Sequence, residues 1–129
     1  MSRELIITHA GATIFGRTTS DAFASAVYQI TDSDEGELGK ELLMDIRDTL
    51  NSRRKAKQRE IDGYEIAMKC PTIDYENWMA NYNAELEAMD ELDNIKDGIA
   101  WADTFALMLS EMKYSEGNVD ITLRYLKSY

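Results

Sequence analysis

The sequence contains one histidine, one cysteine and one proline among its 129 residues. A single imidazole, His9, cannot build a multi-histidine metal centre, and it is the only histidine that a Cys70 nucleophile could use. One thiol also excludes an internal disulfide, which favours a reducing compartment, and we expect Cys70 to be packed inside the fold. The chain therefore lacks the sets of histidine and cysteine residues on which many catalytic and metal sites depend. We predict that it is not an enzyme and that it holds no cofactor and no metal.

Long hydrophobic runs are also missing. The apolar run Leu5–Ile7 is too short for the core of a secretory signal. The uncharged stretch Thr104–Ser110 is far shorter than the roughly 20 residues that a membrane-spanning helix needs. We therefore expect no insertion into a membrane and a cytoplasmic location.

The chain does have enough apolar material for one core. Its hydrophobic content is 44%, with seven tyrosines and two tryptophans, which argues against wholesale disorder. A chain of this length is typical of one domain. We predict a single domain over residues 1–129.

The first half of the chain predicts a hairpin followed by helices. Residues 3–18 carry two β-branched or aromatic runs on either side of Gly11, the pattern of a β-hairpin. Ser20–Asp21 then predicts the start of a helix, and residues 31–36 predict a polar break. Leucine or isoleucine at every fourth position predicts a long helix from residue 37 to about residue 69.

The second half predicts another long helix and a strand. Asp74 is expected to cap the helix, and its apolar residues alternate spacings of three and four in a heptad-like seam. The seam consists of Tyr75, Trp78, Tyr82, Leu86, Met89, Leu92 and Ile95. We expect its aromatic residues to belong to the core rather than to a binding patch. Asp97–Gly98 predicts an interruption before a further helix, and strict alternation over residues 119–125 predicts a half-buried strand.

These elements predict a mainly α (α+β) fold. We expect an antiparallel hairpin of two long helices with additional short helices. A lone β-hairpin is marginal in water, so the N-terminal hairpin and the C-terminal strand should combine into one small antiparallel sheet.

Charge is unevenly distributed along the chain. The net charge is −10, from 24 acids and 14 lysines and arginines. Residues 74–103 hold nine acids and one base, Lys96, which gives −8, and residues 32–48 hold seven acids and two bases, which gives −5. Between them, residues 52–59 hold five bases and no acid. An acidic solvated face that also pairs with the basic run Arg53–Arg59, within or between subunits, is one interpretation.

The other interpretation is that the acidic helix recognises a partner. Its candidate binding residues are the acids Glu85, Glu87, Asp90, Glu91, Asp93 and Asp97. Rows of carboxylates on a helix can imitate the phosphates of a nucleic acid and occupy a Lys/Arg groove. In size and composition the chain resembles the small acidic inhibitors encoded by phages, such as anti-restriction and anti-CRISPR proteins. That resemblance implies a non-enzymatic inhibitor of a host nucleic-acid-handling complex, with a protein as its partner. Residues 52–59 contribute +5 to the net charge of −10, so the rest of the chain carries −15, and we expect no direct contact with nucleic acid. Homodimerisation stays open.

Two alternative functions stay open. Asp45 with Asp48, and Glu87 with Asp90, could face each other across the hairpin and hold magnesium, an arrangement similar to that of all-α nucleotide pyrophosphohydrolases of the MazG type. The paired glutamates of that family's first helix are absent. The heptad-like seam could instead serve a phage assembly or chaperone component as an intersubunit interface. The segment Gly11–Thr18 has the spacing of a P-loop with Arg17 in the place of lysine, and we interpret it as part of the hairpin.

Overall fold

A computed structural model of the protein describes residues 4–18, 22–115 and 123–128. These residues form three α-helices and one four-stranded sheet. In chain order the elements are β1 (Glu4–His9), β2 (Ala12–Thr18), α1 (Ala22–Thr31), β3 (Glu35–Leu38), α2 (Lys40–Met68), α3 (Tyr75–Ser115) and β4 (Leu123–Ser128). The predicted fold class is confirmed: two long helices lie against each other, and the strands form a small antiparallel sheet. The predicted helix start at Ser20–Asp21 and the first residues of the predicted C-terminal strand lie outside the described residues.

The predicted N-terminal hairpin is confirmed. β1 and β2 pair antiparallel, with His9 opposite Ala12, so the turn consists of Ala10 and Gly11 alone. Both turn residues have positive φ, 50° and 79°, which is the feature of a type I′ hairpin turn. The P-loop-like segment therefore begins in a tight turn and continues as a strand.

The sheet contains one strand that the sequence did not predict. Its order is β2-β1-β4-β3, with β4 between β1 and β3. We predicted that residue 37 begins a helix, but Leu38 belongs to β3, pairs with Leu123 and is fully buried. Gly36 pairs with Tyr125, whose ring covers it so closely that a Cβ there would lie 2.6 Å from the tyrosine oxygen. A four-residue strand with two glutamates and a glycine has too short a pattern to be recognised.

The core lies between one face of this sheet and the helices. β1 contributes Leu5 and Ile7, and the helices contribute three groups of side chains that pack with them. The helical residues are Phe23 and Val27 of α1, Leu43, Ile46 and Leu50 of α2, and Ile95, Phe105 and Leu109 of α3. Phe105 is central because its ring contacts the rings of Phe15, Phe23 and Trp101 at centroid distances of 5.3 to 5.5 Å.

α3 is one helix of 41 residues, so the predicted interruption at Asp97–Gly98 is wrong. Gly98 is buried where α1 and α2 approach α3: a Cβ on it would lie 3.1 Å from the backbone nitrogen of Phe23 and from Cδ1 of Leu50. A glycine inside a helix costs only about 1 kcal/mol relative to alanine, which packing on both sides can offset. The glycine permits close helix packing and does not end the helix.

The contact between α2 and α3 becomes thinner away from the sheet. Beyond the main core it continues as a small cluster of Ile61, Ala88 and Leu92, with Tyr64 packed against it. No residue from 62 to 87 is fully buried. We call residues 62–87 the distal segment: it is the end of the helical hairpin that projects away from the sheet. None of the helices among residues 22–115 has a stretch of sufficient length and hydropathy to serve as a membrane span.

Candidate protein-binding surface

The distal segment is closed by a short, capped loop. α2 ends at Met68 and α3 begins at Tyr75, and Pro71 lies in the loop between them. Asp74 caps α3 as predicted: its Oδ1 accepts a hydrogen bond of 2.7 Å from the Asn77 backbone N–H, and its Oδ2 accepts one of 3.0 Å from the Asn77 amide. The cap satisfies a backbone donor that the first helical turn leaves without a partner.

The aromatic part of the predicted seam is exposed, so the expectation that it belongs to the core is wrong. Five residues form this surface, which we call the distal stripe: Tyr75, Trp78, Tyr82, Leu86 and Met89. They are between 37% and 75% exposed. At about 100° per residue they fall within about 80° of one another around the α3 axis, on one side of the helix. The side that faces α2 carries Ala88, Leu92 and Ile95 instead.

Two rings of the distal stripe support each other. Trp78 and Tyr82 stack with a centroid distance of 5.3 Å and an interplanar angle of 7°. Stacked aromatic pairs hold their side chains in place at a gain of about 0.5 to 1.5 kcal/mol. Tryptophan and tyrosine are enriched among the residues that contribute most to binding at protein interfaces, so this pair is a candidate anchor.

The six predicted acids do not form one face. Glu87, Asp90, Asp93 and Asp97 lie within an arc of about 120° that adjoins the distal stripe. We call these four residues the acidic arc; the first three are exposed and Asp97 is half-buried. Glu85 and Glu91 point to other sides of α3. Glu91 follows Glu87 by about one helical turn, but its carboxylate lies against Lys57 of α2.

Glu91 is held in an ion pair across the helical hairpin. Its carboxylate lies 2.5 Å from Nζ of Lys57, which also contacts Glu60 at 2.9 Å. These two hydrogen bonds to carboxylates raise the pKa of Lys57 to about 12. Glu91 is therefore engaged within the fold. Glu85 is half-buried, and its Oε2 is enclosed with no hydrogen-bond partner among the described residues.

The basic run Arg53–Arg59 divides between several neighbours. Arg53 donates hydrogen bonds to Ser25 and Gln29 of α1, and Lys57 makes the ion pair with α3. An internal ion-pair role is thus confirmed for Lys57. The remaining cations line an open groove of about 270 Å³ between α2 and α3, which we call the basic groove. It is formed by Arg54, Lys55, Gln58, Arg59 and Lys96.

The carboxylate pairs proposed for magnesium are not brought together. Leu50 lies against Gly98, and Ile61 packs with Ala88 and Leu92. Asp45 and Asp48 are therefore near the sheet end of the helical hairpin, whereas Glu87 is the last residue of the distal segment and Asp90 follows it on α3. Within residues 4–18, 22–115 and 123–128, no group of three or more His, Cys, Asp or Glu residues could hold a metal ion.

Cys70 is exposed, so the expectation of a packed thiol is wrong. It lies in the loop at the end of the helical hairpin, where neither the sheet nor another helix can cover it. Its Sγ is 3.3 Å from the hydroxyl oxygen of Thr72. Hydrogen bonds from this hydroxyl and from the backbone of Thr72 lower the pKa of the thiol.

Comparison with known protein families, with curated proteins and with solved structures finds no match to this chain.

Proposed function

We propose that this protein is a non-enzymatic binding module that contacts a partner protein through the distal stripe and the acidic arc. The observation that supports this most strongly is the exposed distal stripe, with its stacked pair of Trp78 and Tyr82. Contiguous exposed apolar surface is typical of interaction sites, and tryptophan and tyrosine are the residues most often found at their energetic centres.

The acidic arc defines the chemistry of the partner. Glu87, Asp90 and Asp93 are exposed beside the stripe and make no ion pair with any residue that the structure describes. Carboxylates at the rim of an apolar patch attract a cationic surface and accelerate its approach. The partner is therefore a protein with lysine and arginine around an apolar depression.

A nucleic-acid-handling complex is the class of partner that fits best. The four acids of the acidic arc follow one another at rises of about 4.5 to 6 Å along α3, a row of negative charges comparable to a phosphate backbone. We infer a cytoplasmic inhibitor of phage or mobile-element origin, of the anti-CRISPR or anti-restriction type. It would occupy the lysine- and arginine-lined cleft of the host complex in the place of nucleic acid.

Affinity capture from a host-cell lysate tests the proposal. The wild type should retain proteins with basic nucleic-acid-binding surfaces, and added duplex DNA should release them by competition. Two variants should each capture at least about tenfold less of these proteins, as expected when an interface anchor is removed. They are the triple variant Glu87→Lys, Asp90→Lys, Asp93→Lys and the single variant Trp78→Ala. Glu91 is left unchanged because its reversal would break the ion pair with Lys57.

The matched control changes charge by the same amount elsewhere. Asp45→Lys, Asp48→Lys and Glu111→Lys alter three exposed acids outside the acidic arc. This control should still capture the same proteins, and circular dichroism should show equal helix content in all variants. Equal capture by both triple variants, or no competition by DNA, would refute the proposal.

The exposed stripe also favours a second candidate, an assembly component that uses the stripe to bind another copy of itself. Two stripes in contact would form an apolar seam of the heptad type. Light scattering over a range of protein concentrations separates the two candidates. A monomer at every concentration excludes self-assembly, whereas a dimer that Trp78→Ala dissociates would favour it over the inhibitor.

A further inference from the structure

The basic groove is a feature that contact through the acidic arc does not explain. Two arginines and two lysines converge on one groove of about 270 Å³, in a protein whose net charge is −10. Within the described part of the chain, no carboxylate lies within ion-pair distance of any of the four. Lys57 of the same helix has two carboxylate partners, whereas the four cations of the groove have none among the described residues.

The arrangement of the groove concentrates positive charge. Lys55 and Arg59 are one turn apart on α2, a spacing at which like charges repel and reduce helix stability. Lys96 is added from α3, and the Nε of Arg54 is enclosed without a hydrogen-bond partner among the described residues. A bound anion would relieve the repulsion and provide the acceptor that the Arg54 guanidinium lacks.

We propose that the basic groove is a binding site for a compact, multiply charged phosphate group, such as a pyrophosphate or triphosphate. Arginine guanidinium groups match the geometry of phosphate oxygens, and lysines add charge without directional constraint. Four cations exceed what one carboxylate can neutralise. A di- or triphosphate carries several negative charges in a volume that the groove accommodates.

The surroundings of the groove limit the ligand to this size. Asp62 follows Gln58 by one turn and accepts a hydrogen bond of 3.0 Å from its amide, and Asp93 precedes Lys96 by about one turn. A nucleic-acid strand that entered the groove would therefore continue over carboxylates on either side. None of the five residues that line the groove is aromatic, so nothing there would stack on a base.

Calorimetric titration at low ionic strength tests the site with inorganic tripolyphosphate, pyrophosphate and orthophosphate. Affinity should increase in the order orthophosphate, pyrophosphate, tripolyphosphate, and should fall as salt is added. Adenosine triphosphate should bind about as tightly as tripolyphosphate, and adenosine should not bind. A preference for the nucleotide over tripolyphosphate, or tighter binding of duplex DNA, would overturn a site built for phosphate alone.

Two double variants test whether tripolyphosphate binds in the basic groove. Arg54→Gln with Lys96→Gln should weaken tripolyphosphate binding by at least about tenfold, since each removes a charge-assisted hydrogen bond. Lys55→Gln with Arg59→Gln should do the same and affects only exposed side chains, so it remains informative if substitution of half-buried Arg54 impairs folding. Lys40→Gln, an exposed lysine at the start of α2, is the control and should bind normally. No binding by the wild type, or unweakened binding by both double variants, would overturn the proposal.

Discussion

Cys70 lies in a loop of six residues, 69–74, that joins the two long helices. The loop reverses the chain at the far end of the helical hairpin, so its side chains have solvent on most sides. The hydroxyl of Thr72 is 3.3 Å from the sulfur, and its hydrogen bond favours the thiolate over the thiol. The same loop therefore exposes the thiol and increases the fraction that is ionised, and the thiolate is the reactive form.

We predict that Thr72→Val makes Cys70 less reactive at neutral pH. The hydroxyl of Thr72 is the largest of the hydrogen-bond contributions that hold the pKa of the thiol below its usual value. The substitution removes this hydroxyl and keeps the backbone hydrogen bonds, so the pKa rises part of the way back and the thiolate fraction decreases. The rate of alkylation by iodoacetamide, measured against pH, should show its midpoint displaced upward. Thr104→Val is the control, because that hydroxyl bonds the Ala100 carbonyl on α3. An unchanged midpoint in Thr72→Val would contradict the assignment.

At the scale of the element, α3 performs different tasks along its length. Its C-terminal half packs against the sheet and the other helices through Phe105 and Leu109, and its middle contacts α2 through Ala88 and Leu92. Its N-terminal turns carry the exposed distal stripe. Gly98 lies at a position of close packing, because there the helix has neighbours from both α1 and α2.

Alanine substitutions at two helical glycines should have opposite effects. Gly63 is exposed in α2 with no atom within 4 Å of an added Cβ, so Gly63→Ala should raise the free energy of unfolding by about 0.5 to 1 kcal/mol. At Gly98 the added Cβ meets the α1 backbone, and overpacking of this kind costs about 1 to 3 kcal/mol, more than the helix gains. Urea unfolding followed by circular dichroism measures both. Equal stabilisation by the two substitutions would show that α1 moves aside.

At the scale of the whole molecule, the buried core and the exposed candidate binding surface lie in different parts of the fold. The fully buried side chains concentrate where the sheet meets the helices, and the last of them toward the loop are Ile61 on α2 and Ala88 on α3. The stability of the distal segment depends on helical hydrogen bonds, on the Asp74 cap and on contacts between partly buried side chains. A projecting helical hairpin can reach into a concave partner without disturbing its own core.

We predict a gradient of hydrogen-exchange protection along the helical hairpin. Amides of the main core, around Ile46 and Phe105, should exchange only through global unfolding. Amides of residues 64–84 should exchange faster through local opening, because few buried apolar contacts hold that region. Exchange followed by mass spectrometry or NMR gives the comparison. Uniform protection from one end to the other would contradict a distal segment of lower local stability.

The elements with strong local patterns were predictable. The turn at Ala10–Gly11, the cap at Asp74 and the alternation of Leu123 and Tyr125 with Arg124 follow from backbone preferences and side-chain periodicity within a few residues. β3 was missed because its burial comes from pairing with β4, which is distant in the sequence. The candidate surface was only partly predictable: the acids were named, but their division around α3 depends on which side of the helix faces α2.

The sequence alone determined the helical character, the two long helices, the hairpin and the segregation of charge, because each depends on residue type and spacing along a local stretch of chain. Only the tertiary structure decided that the seam from Tyr75 to Met89 is exposed, that Glu91 is paired with Lys57, and that four cations converge on one groove. Periodicity shows that a helix has an apolar side, but it does not show whether another element is long enough and placed to cover it. α2 has its last fully buried residue at Ile61, and the distal stripe beyond it faces solvent.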